Sequence, residues 1–258
     1  MLRFRPPLLL TRARKRLVIR AVHVSIVIPL YNEEDNVEPL VRELAAIQPA
    51  LGQAEVLLVD DGSRDGTWAR IAAAARAHPF IRGIRCEQNR GQSSAMLAGL
   101  RRARGEVMVT LDGDLQNNPA DIPELVKRVG PFDVVCGYRA KRRDTWSRRV
   151  ASRIGNGIRN WVTADGLRDT GCSLKAFHRR CIPDLPPVNG VHRFMGAYFR
   201  THGRTIEQIP VDHRPRTAGV SKYTNLKRLP KTAFDLIGFA WYRSRLLREP
   251  PIEETPAA

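Results

Sequence analysis

Two carboxylates one residue apart, Asp112 and Asp114, follow a short apolar run at residues 107–111. The run is typical of a buried strand, and the polar, proline-containing residues 116–119 predict a turn before a helix. Carboxylates this close repel each other and are costly to desolvate. A hard divalent cation removes that conflict, and Mg²⁺ or Mn²⁺ keeps its other positions for water and phosphate oxygens. The pattern predicts a metal site, with a solvated strand-end turn as the alternative.

Two further strands are predicted to deliver polar residues in the same way. The apolar run 56–59 ends in Asp60-Asp61-Gly62, and residues 24–29 run into Tyr31 and Glu33. The run 56–59 does not alternate with polar residues, which is typical of a parallel strand covered on both faces. Because open α/β sheets bind ligands at the carboxyl ends of their strands, three such turns favour one shared site.

The segments between these turns fit an α/β fold. Apolar spacing near 3.6 predicts three helices, and short apolar runs predict two more strands. The order β-α-β-α-β-α-β favours a mostly parallel sheet flanked by helices. Neither a G-x-G-x-x-G nor a Walker A signature is present, so a dinucleotide or P-loop site has little support. The predicted helices are residues 33–47, 67–77 and 92–103, and the added strands are residues 81–86 and 133–136.

Several motifs carry a resemblance to a known family. They are Pro29-Leu30-Tyr31-Asn32-Glu33, Val59-Asp60-Asp61-Gly62-Ser63-x-Asp65-Gly66-Thr67, Asn89-Arg90-Gly91, Leu111-Asp112-Gly113-Asp114-Leu115-Gln116, Gly137-Tyr138-Arg139, Ser152-Arg153, Asp169-Thr170-Gly171-Cys172-Ser173-Leu174-Lys175, Arg193-Phe194 and Arg216-x-x-Gly219-x-Ser221-Lys222-Tyr223. Together they resemble family-2 glycosyltransferases of the GT-A fold, and more narrowly the polyprenyl-phosphate (dolichyl-phosphate mannose synthase-like) branch. The resemblance spans residues 24 to about 228. It implies transfer of one sugar from a nucleotide donor to a lipid-linked phosphate. Gly113 departs from the alanine common in the family, which we expect to matter little.

The resemblance also implies roles for individual residues. The metal, Mg²⁺ or Mn²⁺, is assigned to Asp112, Asp114 and Gln116. The acceptor phosphate is assigned to Arg139 and Arg153, which form the catalytic set with Asp112 and Asp114. The nucleotide-sugar is assigned to Pro29, Tyr31, Glu33, Asp61, Asn89, Gly91, Asp112, Gly113, Asp114, Arg193, Arg216 and Lys222.

The chemistry of such a transfer can be argued from these residue types. Breaking the bond between sugar and diphosphate leaves negative charge on the leaving group, which a metal ion neutralises as a Lewis acid. A phosphate monoester has a second pKa of roughly 6, so it is a good nucleophile near neutral pH without a strong general base. The acceptor then needs cations, and the planar forks of Arg139 and Arg153 suit phosphate. Arg216 and Lys222 lie in a glycine-containing loop that could close over the donor diphosphate.

A sugar hydroxyl is the competing acceptor, as in the synthesis of a polysaccharide or glycolipid. That reaction requires a carboxylate base downstream of the metal motif, for which Asp169 and Asp212 are the candidates by position. The sequence leaves open which sugar is transferred and whether the nucleotide is UDP or GDP. The Asp169–Lys175 motif favours a bacterial enzyme that uses undecaprenyl phosphate.

Composition favours a partner with negative charge. The chain of 258 residues carries a formal net charge of +17, and its cations cluster within residues 1–20, 139–159 and 200–231. Such clusters attract anionic lipid or nucleic acid. Aromatic residues make up only 7% of the chain and no nucleic-acid-binding motif is present, so we expect an anionic membrane surface and no nucleic acid.

The predicted organisation has four parts. Residues 1–22 form a basic flexible arm, 23–228 the GT-A domain, 229–248 an amphipathic helix and 249–258 a disordered tail. The helix either lies at a membrane interface or packs on the domain. No segment reaches the ~20 apolar residues that span a bilayer. We therefore expect peripheral attachment to the cytoplasmic face of a membrane, directly or through a partner subunit.

Overall fold

The computed structural model describes residues 24–140, 157, 159–215 and 225–247. The predicted arm and tail, together with Arg153, Arg216 and Lys222, lie outside the described residues.

A seven-stranded sheet forms the centre of the protein. Its order is β3-β2-β1-β4-β6-β5-β7, and only β6 runs antiparallel to its neighbours among the described strands. This confirms the predicted mostly parallel sheet. The strands are β1 (Val24–Leu30), β2 (Ala54–Asp60), β3 (Ile81–Arg85), β4 (Val107–Thr110), β5 (Val134–Arg139), β6 (Lys175–His178) and β7 (Ile206–Val211).

Helices cover both faces of the sheet. Leu44 of α1, Ile71 of α2 and Leu125 of α4 pack in one apolar cluster. Leu100 of α3 and Phe199 of α5 pack in the other. Alternate residues of β1 point into the two clusters, as a central strand requires. The helices are α1 (Glu34–Leu51), α2 (Thr67–Ala77), α3 (Gln92–Arg102), α4 (Ile122–Arg128), α5 (Val191–Thr201) and α6 (Asn225–Arg245), with short 3-10 helices at Pro119–Asp121 and Arg179–Asp184.

Strands β6 and β7 are absent from the sequence prediction. β6 is only four residues long and contains Lys175, which is 1% exposed, so it lacks the apolar signature of a buried strand. It inserts between β4 and β5, pairing Lys175 with Thr110 on one side and with Cys136 on the other. Because β6 is antiparallel to both neighbours, β5 is parallel to β4. Arg139, the last residue of β5, therefore lies at the same sheet edge as the Asp112 turn.

The C-terminal helix α6 packs on α5 through one face. Phe239 is 1% exposed, and its ring lies 5.8 Å from that of Phe194 and 5.0 Å from that of Tyr198. Three large apolar side chains of α6 are instead exposed to solvent: Phe234, Ile237 and Trp241. Of the two arrangements that the sequence leaves open, packing on the domain is observed, and an apolar face remains on the outside. In the described part of the chain, every helix is too short or too polar to cross a bilayer.

Candidate active site

The turn after β4 holds the two carboxylates that the sequence assigns to a metal. Asp112 accepts a hydrogen bond of 2.6 Å from the Gln92 side-chain amide, at the start of α3. It accepts a second from the Ser173 hydroxyl, which in turn accepts one of 2.8 Å from the Asn117 amide. Asp112 is thus held by groups from α3 and from the segment before β6. Such support from neighbouring side chains is what a preorganised site requires.

The surroundings of Asp112 disfavour the charged form of its carboxyl group. Burial, followed by repulsion from Asp114, raises the pKa of Asp112 to about 6. The hydrogen bonds from Ser173 and Gln92 and the charge of Lys175 oppose this rise. Lys175 itself is buried, and its ammonium donates to the carbonyl oxygen of Cys172. A divalent cation between the carboxylates would relieve this repulsion, because it favours the charged form of both.

The donor set fits Mg²⁺ or Mn²⁺ rather than an all-protein metal cage. Within the described ranges, no group of three or more His, Cys, Asp or Glu side chains could hold a metal. A site with one or two carboxylates, completed by water and substrate phosphate, is the usual arrangement for Mg²⁺. Gln116 donates its backbone N–H to Asp114 Oδ1 at 3.2 Å, so it lies beside the carboxylates. Its role as a third ligand stays a prediction.

The predicted nucleotide residues Asp61, Asn89 and Gly91 meet at the carboxyl end of β2. The buried Asp61 carboxylate accepts hydrogen bonds from the Asn89 amide at 2.9 Å, Arg90 N–H at 3.0 Å and Gly91 N–H at 2.8 Å. Burial raises the pKa of Asp61, and the two backbone hydrogen bonds oppose that rise. The residues before α3 are thereby tied to the turn after β2, which places the start of α3 at the site.

The two turns that hold Asp61 approach each other at Gly62. Gly62 has a positive φ of 69°, and a Cβ there would lie 2.6 Å from the backbone nitrogen of Asn89. Only glycine satisfies both conditions. Beside it lies a cavity of about 320 Å³, near the lower end of the roughly 300–1,000 Å³ typical of small-molecule sites. The cavity is lined by Gly62, Ser63, Arg85, Cys86 and Glu87.

The turn after β1 is joined to the turn after β2. Asn32, with a φ of 50°, donates its N–H to Ser63 Oγ at 2.9 Å. Glu33 donates its N–H to Thr67 Oγ1 at 2.9 Å, and its carboxylate accepts a hydrogen bond from Asn36. Pro29 and Tyr31, both half-buried, lie at the end of β1 and in this turn. The three strand-end turns predicted from the sequence therefore form one continuous edge.

Arg139 is held by Asp169, the residue that the alternative reaction would use as a base. Arg139 Nε and Nη2 donate to the two Asp169 carboxylate oxygens at 2.6 and 2.8 Å. The backbone N–H of Arg139 donates a third hydrogen bond to the same carboxylate at 3.2 Å. The hydrogen bonds to Asp169 are the main reason why the pKa of Arg139 is raised, and the negative charge of Asp112 raises it further. The guanidinium thus lies within electrostatic range of Asp112. The other candidate base, Asp212, is exposed and donates its N–H to Asp121 at 2.8 Å.

Arg193 lies in the first turn of α5 and is paired with the C-terminal helix. Its Nη1 lies 2.8 Å from Asp235 Oδ2 of α6. The preceding residue, His192, contacts Ser93 Oγ through Nδ1 at 2.6 Å. Because Ser93 follows Gln92, the start of α5 lies against the start of α3, close to the Asp112 turn.

Four residues of the site are missing from the sequence assignment: Gln92, Asn117, Ser173 and Lys175. Gln92 directly follows the Asn89-Arg90-Gly91 motif, so its position was a usable signal. Ser173 and Lys175 lie within a motif that supported the resemblance but received no role. Arg153, Arg216 and Lys222 remain predictions from the sequence.

Comparison with known proteins agrees with this geometry. Residues 25–184 match the family model described as glycosyl transferase family 2. The chain is 38% identical over 223 residues to undecaprenyl-phosphate 4-deoxy-4-formamido-L-arabinose transferase of Enterobacter sp. (strain 638), covering 85% of this chain and 68% of that protein. It is 40% identical over 217 residues to the protein of the same name from Sodalis glossinidius (strain morsitans), covering 83% and 66%. The chain therefore spans about two thirds of the length of these curated relatives.

Solved structures show the same fold. Glucosyl-3-phosphoglycerate synthase from Mycobacterium tuberculosis, in complex with Mn²⁺, UDP and phosphoglyceric acid, aligns with a TM-score of 0.65 at 20% identity, covering 88% of this chain and 80% of that chain. The same enzyme with Mg²⁺ and UDP also aligns with a TM-score of 0.65 at 20% identity, covering 86% and 79%. This likeness confirms the predicted GT-A fold. With the family model matched over most of the sheet and its acidic turns, this chain belongs to glycosyl transferase family 2.

Proposed function

We propose that this protein is a metal-dependent inverting glycosyltransferase that moves one sugar from a UDP- or GDP-sugar to a polyprenyl phosphate. The observation that carries the proposal is the shared edge, where the Asp112 and Asp114 turn, the Asp61 cluster and Arg139 lie together. The curated relatives are named as transferases that act on undecaprenyl phosphate, which supports the same lipid here.

The donor half of the reaction uses the turns after β1, β2 and β4. The nucleotide is proposed to bind along Pro29, Tyr31, Glu33 and the Asp61 cluster, with its diphosphate directed toward the Asp112 turn. Asp112 and Asp114 would hold Mg²⁺ or Mn²⁺, which when bound would supply the positive charge that the departing diphosphate requires. Gln92 and Ser173 keep Asp112 in place, so the carboxylates need little rearrangement when the donor arrives.

The acceptor half uses arginine. An oxygen of the lipid phosphate attacks the anomeric carbon as the bond from that carbon to the nucleotide diphosphate breaks, and the diphosphate leaves with the electron pair. This single displacement inverts the anomeric centre. Arg139, joined by Arg153, is proposed to neutralise the acceptor dianion and hold it in line. Arg193, Arg216 and Lys222 are proposed to bind the donor.

Exposed apolar side chains support binding to a membrane surface. Trp241 of α6 is 65% exposed and Trp161 is 84% exposed. The segment that carries Trp161 is joined to α6, because Arg243 Nη1 donates to the carbonyl oxygen of Val162 at 2.9 Å. Tryptophan with neighbouring arginine suits the interface of an anionic bilayer. These side chains support our proposal that the enzyme is a peripheral membrane protein, attached directly or through a partner subunit. As the face of the membrane we propose the cytoplasmic one.

The test is a transfer assay with a panel of donors. The purified protein is mixed with UDP- and GDP-sugars, Mn²⁺ and undecaprenyl phosphate, and both the released nucleotide and the lipid product are measured. We expect one donor to give a sugar–phospholipid product in a metal-dependent manner, and Arg153→Ala to raise the KM for the lipid more than that for the donor. Transfer to a sugar hydroxyl, with none to lipid phosphate, would contradict the proposal.

A further inference from the structure

We infer that Asp169 is a positioning residue, which orients Arg139 toward the acceptor phosphate, and that it is not a general base. This inference deepens the proposed function and rests on it. The segment that contains Asp169, residues 169–175, reaches both halves of the site. Asp169 binds Arg139 at its start, and Ser173 binds Asp112 near its end.

The geometry of the pair fixes the plane of the guanidinium. Asp169 engages Nε and Nη2, while the backbone N–H of Arg139 anchors the same carboxylate. The side chains of Arg139 and Asp169 are only 18% and 12% exposed, so water competes weakly for these bonds. A guanidinium presents five N–H donors on a rigid plane. With one edge bound to Asp169, the edge formed by Nη1 and the second hydrogen of Nη2 is the one that a phosphate can bind in a bidentate manner.

Gly171 leaves room for this arrangement. A Cβ at Gly171 would lie 3.2 Å from Arg139 Nη2 and 3.5 Å from Asp169 Oδ1, so a side chain there would press on the ion pair. The glycine of the Asp-Thr-Gly sequence therefore allows the chain to pass beside the guanidinium. This accounts for the glycine of the motif, to which the sequence resemblance gave no role.

The same contacts argue against Asp169 as a base. A general base must reach the proton that it removes, with a lone pair directed at the substrate. Both Asp169 oxygens accept hydrogen bonds from Arg139, so taking up a proton would neutralise the carboxylate and weaken its charge-assisted bonds to the buried guanidinium. The structure thus favours a phosphate acceptor, which needs no such base, over a hydroxyl acceptor.

The segment also fixes the separation between the acceptor cation and the metal carboxylates. Ser173 lies four residues after Asp169, and its hydroxyl binds Asp112. Asp112 is close enough to contribute to the raised pKa of Arg139. One short stretch of chain therefore orients two side chains of the protein, Arg139 for the acceptor and Asp112 for the donor. In-line transfer depends on that relative placement.

The test compares Asp169→Asn with Asp169→Glu and with Asp184→Asn as a matched control. Asp184 forms the same type of pair, with Arg204 at 2.6 and 3.1 Å, but it follows β6 at the opposite edge of the sheet. We expect Asp169→Asn to raise the KM for polyprenyl phosphate about ten- to a hundredfold, the range for one hydrogen bond to a charged group. The KM for the nucleotide-sugar and the shape of the pH–rate profile should not change. Asp169→Glu should recover part of the loss, and Asp184→Asn should leave both KM values unchanged.

Two results would overturn the inference. One is a fall in kcat of a thousandfold or more with loss of the acidic limb of the pH–rate profile, which identifies a base. The other is an unchanged KM for the lipid phosphate. Thermal unfolding of each variant establishes that it folds. If Asp169→Asn does not fold, the KM values of Asp169→Glu are compared with those of the wild type instead. If the wild type uses only a hydroxyl acceptor, the proposed function fails, and the pH–rate profile of Asp169→Asn on that acceptor still decides between positioning and base.

Discussion

Gly113 separates the two carboxylates, and its replacement by alanine gives a sharp test of how the site is built. A Cβ at this position would lie 2.2 Å from Leu30 Cδ2 and 3.4 Å from the carbonyl oxygen of Pro29. Carbon atoms in contact lie about 3.5–4.0 Å apart, so Leu30 Cδ2 must move by about 1.5 Å. Leu30 is 2% exposed and packs in the α1 side of the core, which leaves it little room.

The expected cost follows from two opposing effects. Overpacking a core costs about 1–3 kcal/mol. Replacing glycine by alanine also restricts the unfolded chain, which stabilises the protein by about 0.4–1 kcal/mol where φ is compatible. Gly113 has no positive φ, so this gain applies. We expect Gly113→Ala to lower the free energy of unfolding by about 1 kcal/mol, or Tm by about 3 °C. The sequence resemblance alone predicts almost no effect.

A double-mutant cycle with Leu30→Val isolates the contact. Urea unfolding is measured for the wild type, both single variants and the double variant. We expect the double variant to be more stable than the sum of the single effects by about 0.5 kcal/mol or more, because valine withdraws the clashing methyl group. Calorimetry with Mn²⁺ and UDP should also show weaker metal binding by Gly113→Ala alone. Strict additivity, with Gly113→Ala as stable as the wild type, would refute the reasoning.

Three other perturbations have defined outcomes. Excess EDTA should abolish nucleotide release, and added Mn²⁺ should restore it; full turnover in EDTA would exclude a metal role. Asp114→Asn should lower kcat/KM by roughly a hundred- to a thousandfold without unfolding the protein. Hydrogen bonds from Thr205 and the Arg180 pair lower the pKa of Asp133 to about 2, so this group stabilises the folded state above about pH 4 and loses that effect as pH falls toward 2. Asp133→Asn should therefore cost about 1–2 kcal/mol at pH 7 and flatten the urea-unfolding stability curve between pH 4 and 2, and an unchanged curve would contradict the assignment. Trp241→Ala should weaken co-sedimentation with phosphatidylglycerol liposomes at any salt concentration. Deletion of residues 1–20 should weaken it mainly at low salt, because the Debye length falls from about 10 Å at 0.1 M to about 3 Å at 1 M. Equal binding to neutral liposomes would contradict a role for charge.

The parts of the site that the sequence predicted are those encoded locally. Asp61 and Asp112 each follow an apolar strand directly, so their turns and common edge could be inferred without knowledge of tertiary contacts. The pairing of Arg139 with Asp169 could not be inferred from the sequence, because thirty residues separate them. Each residue alone is also compatible with a role in a binding site. Strand β6 was missed for a related reason. Its burial depends on two distant partner strands, and Lys175 conceals the apolar pattern.

The reversed strand β6 also gives the enzyme a modular edge. On one side of it, β1, β2 and β4 carry the turns assigned to the donor, and on the other side β5 carries Arg139. The segment leading into β6 connects the two halves through Asp169 and Ser173. The chain after β7 connects them again, because Arg214 donates its backbone N–H to the carbonyl oxygen of Gln116 at 2.8 Å. With Arg139 proposed to bind the acceptor, we expect substitutions on β5 that spare these connections to alter acceptor choice while the turns after β1, β2 and β4 keep their shape. In terms of evolution or engineering, this arrangement favours exchange of acceptors on a constant nucleotide-binding half.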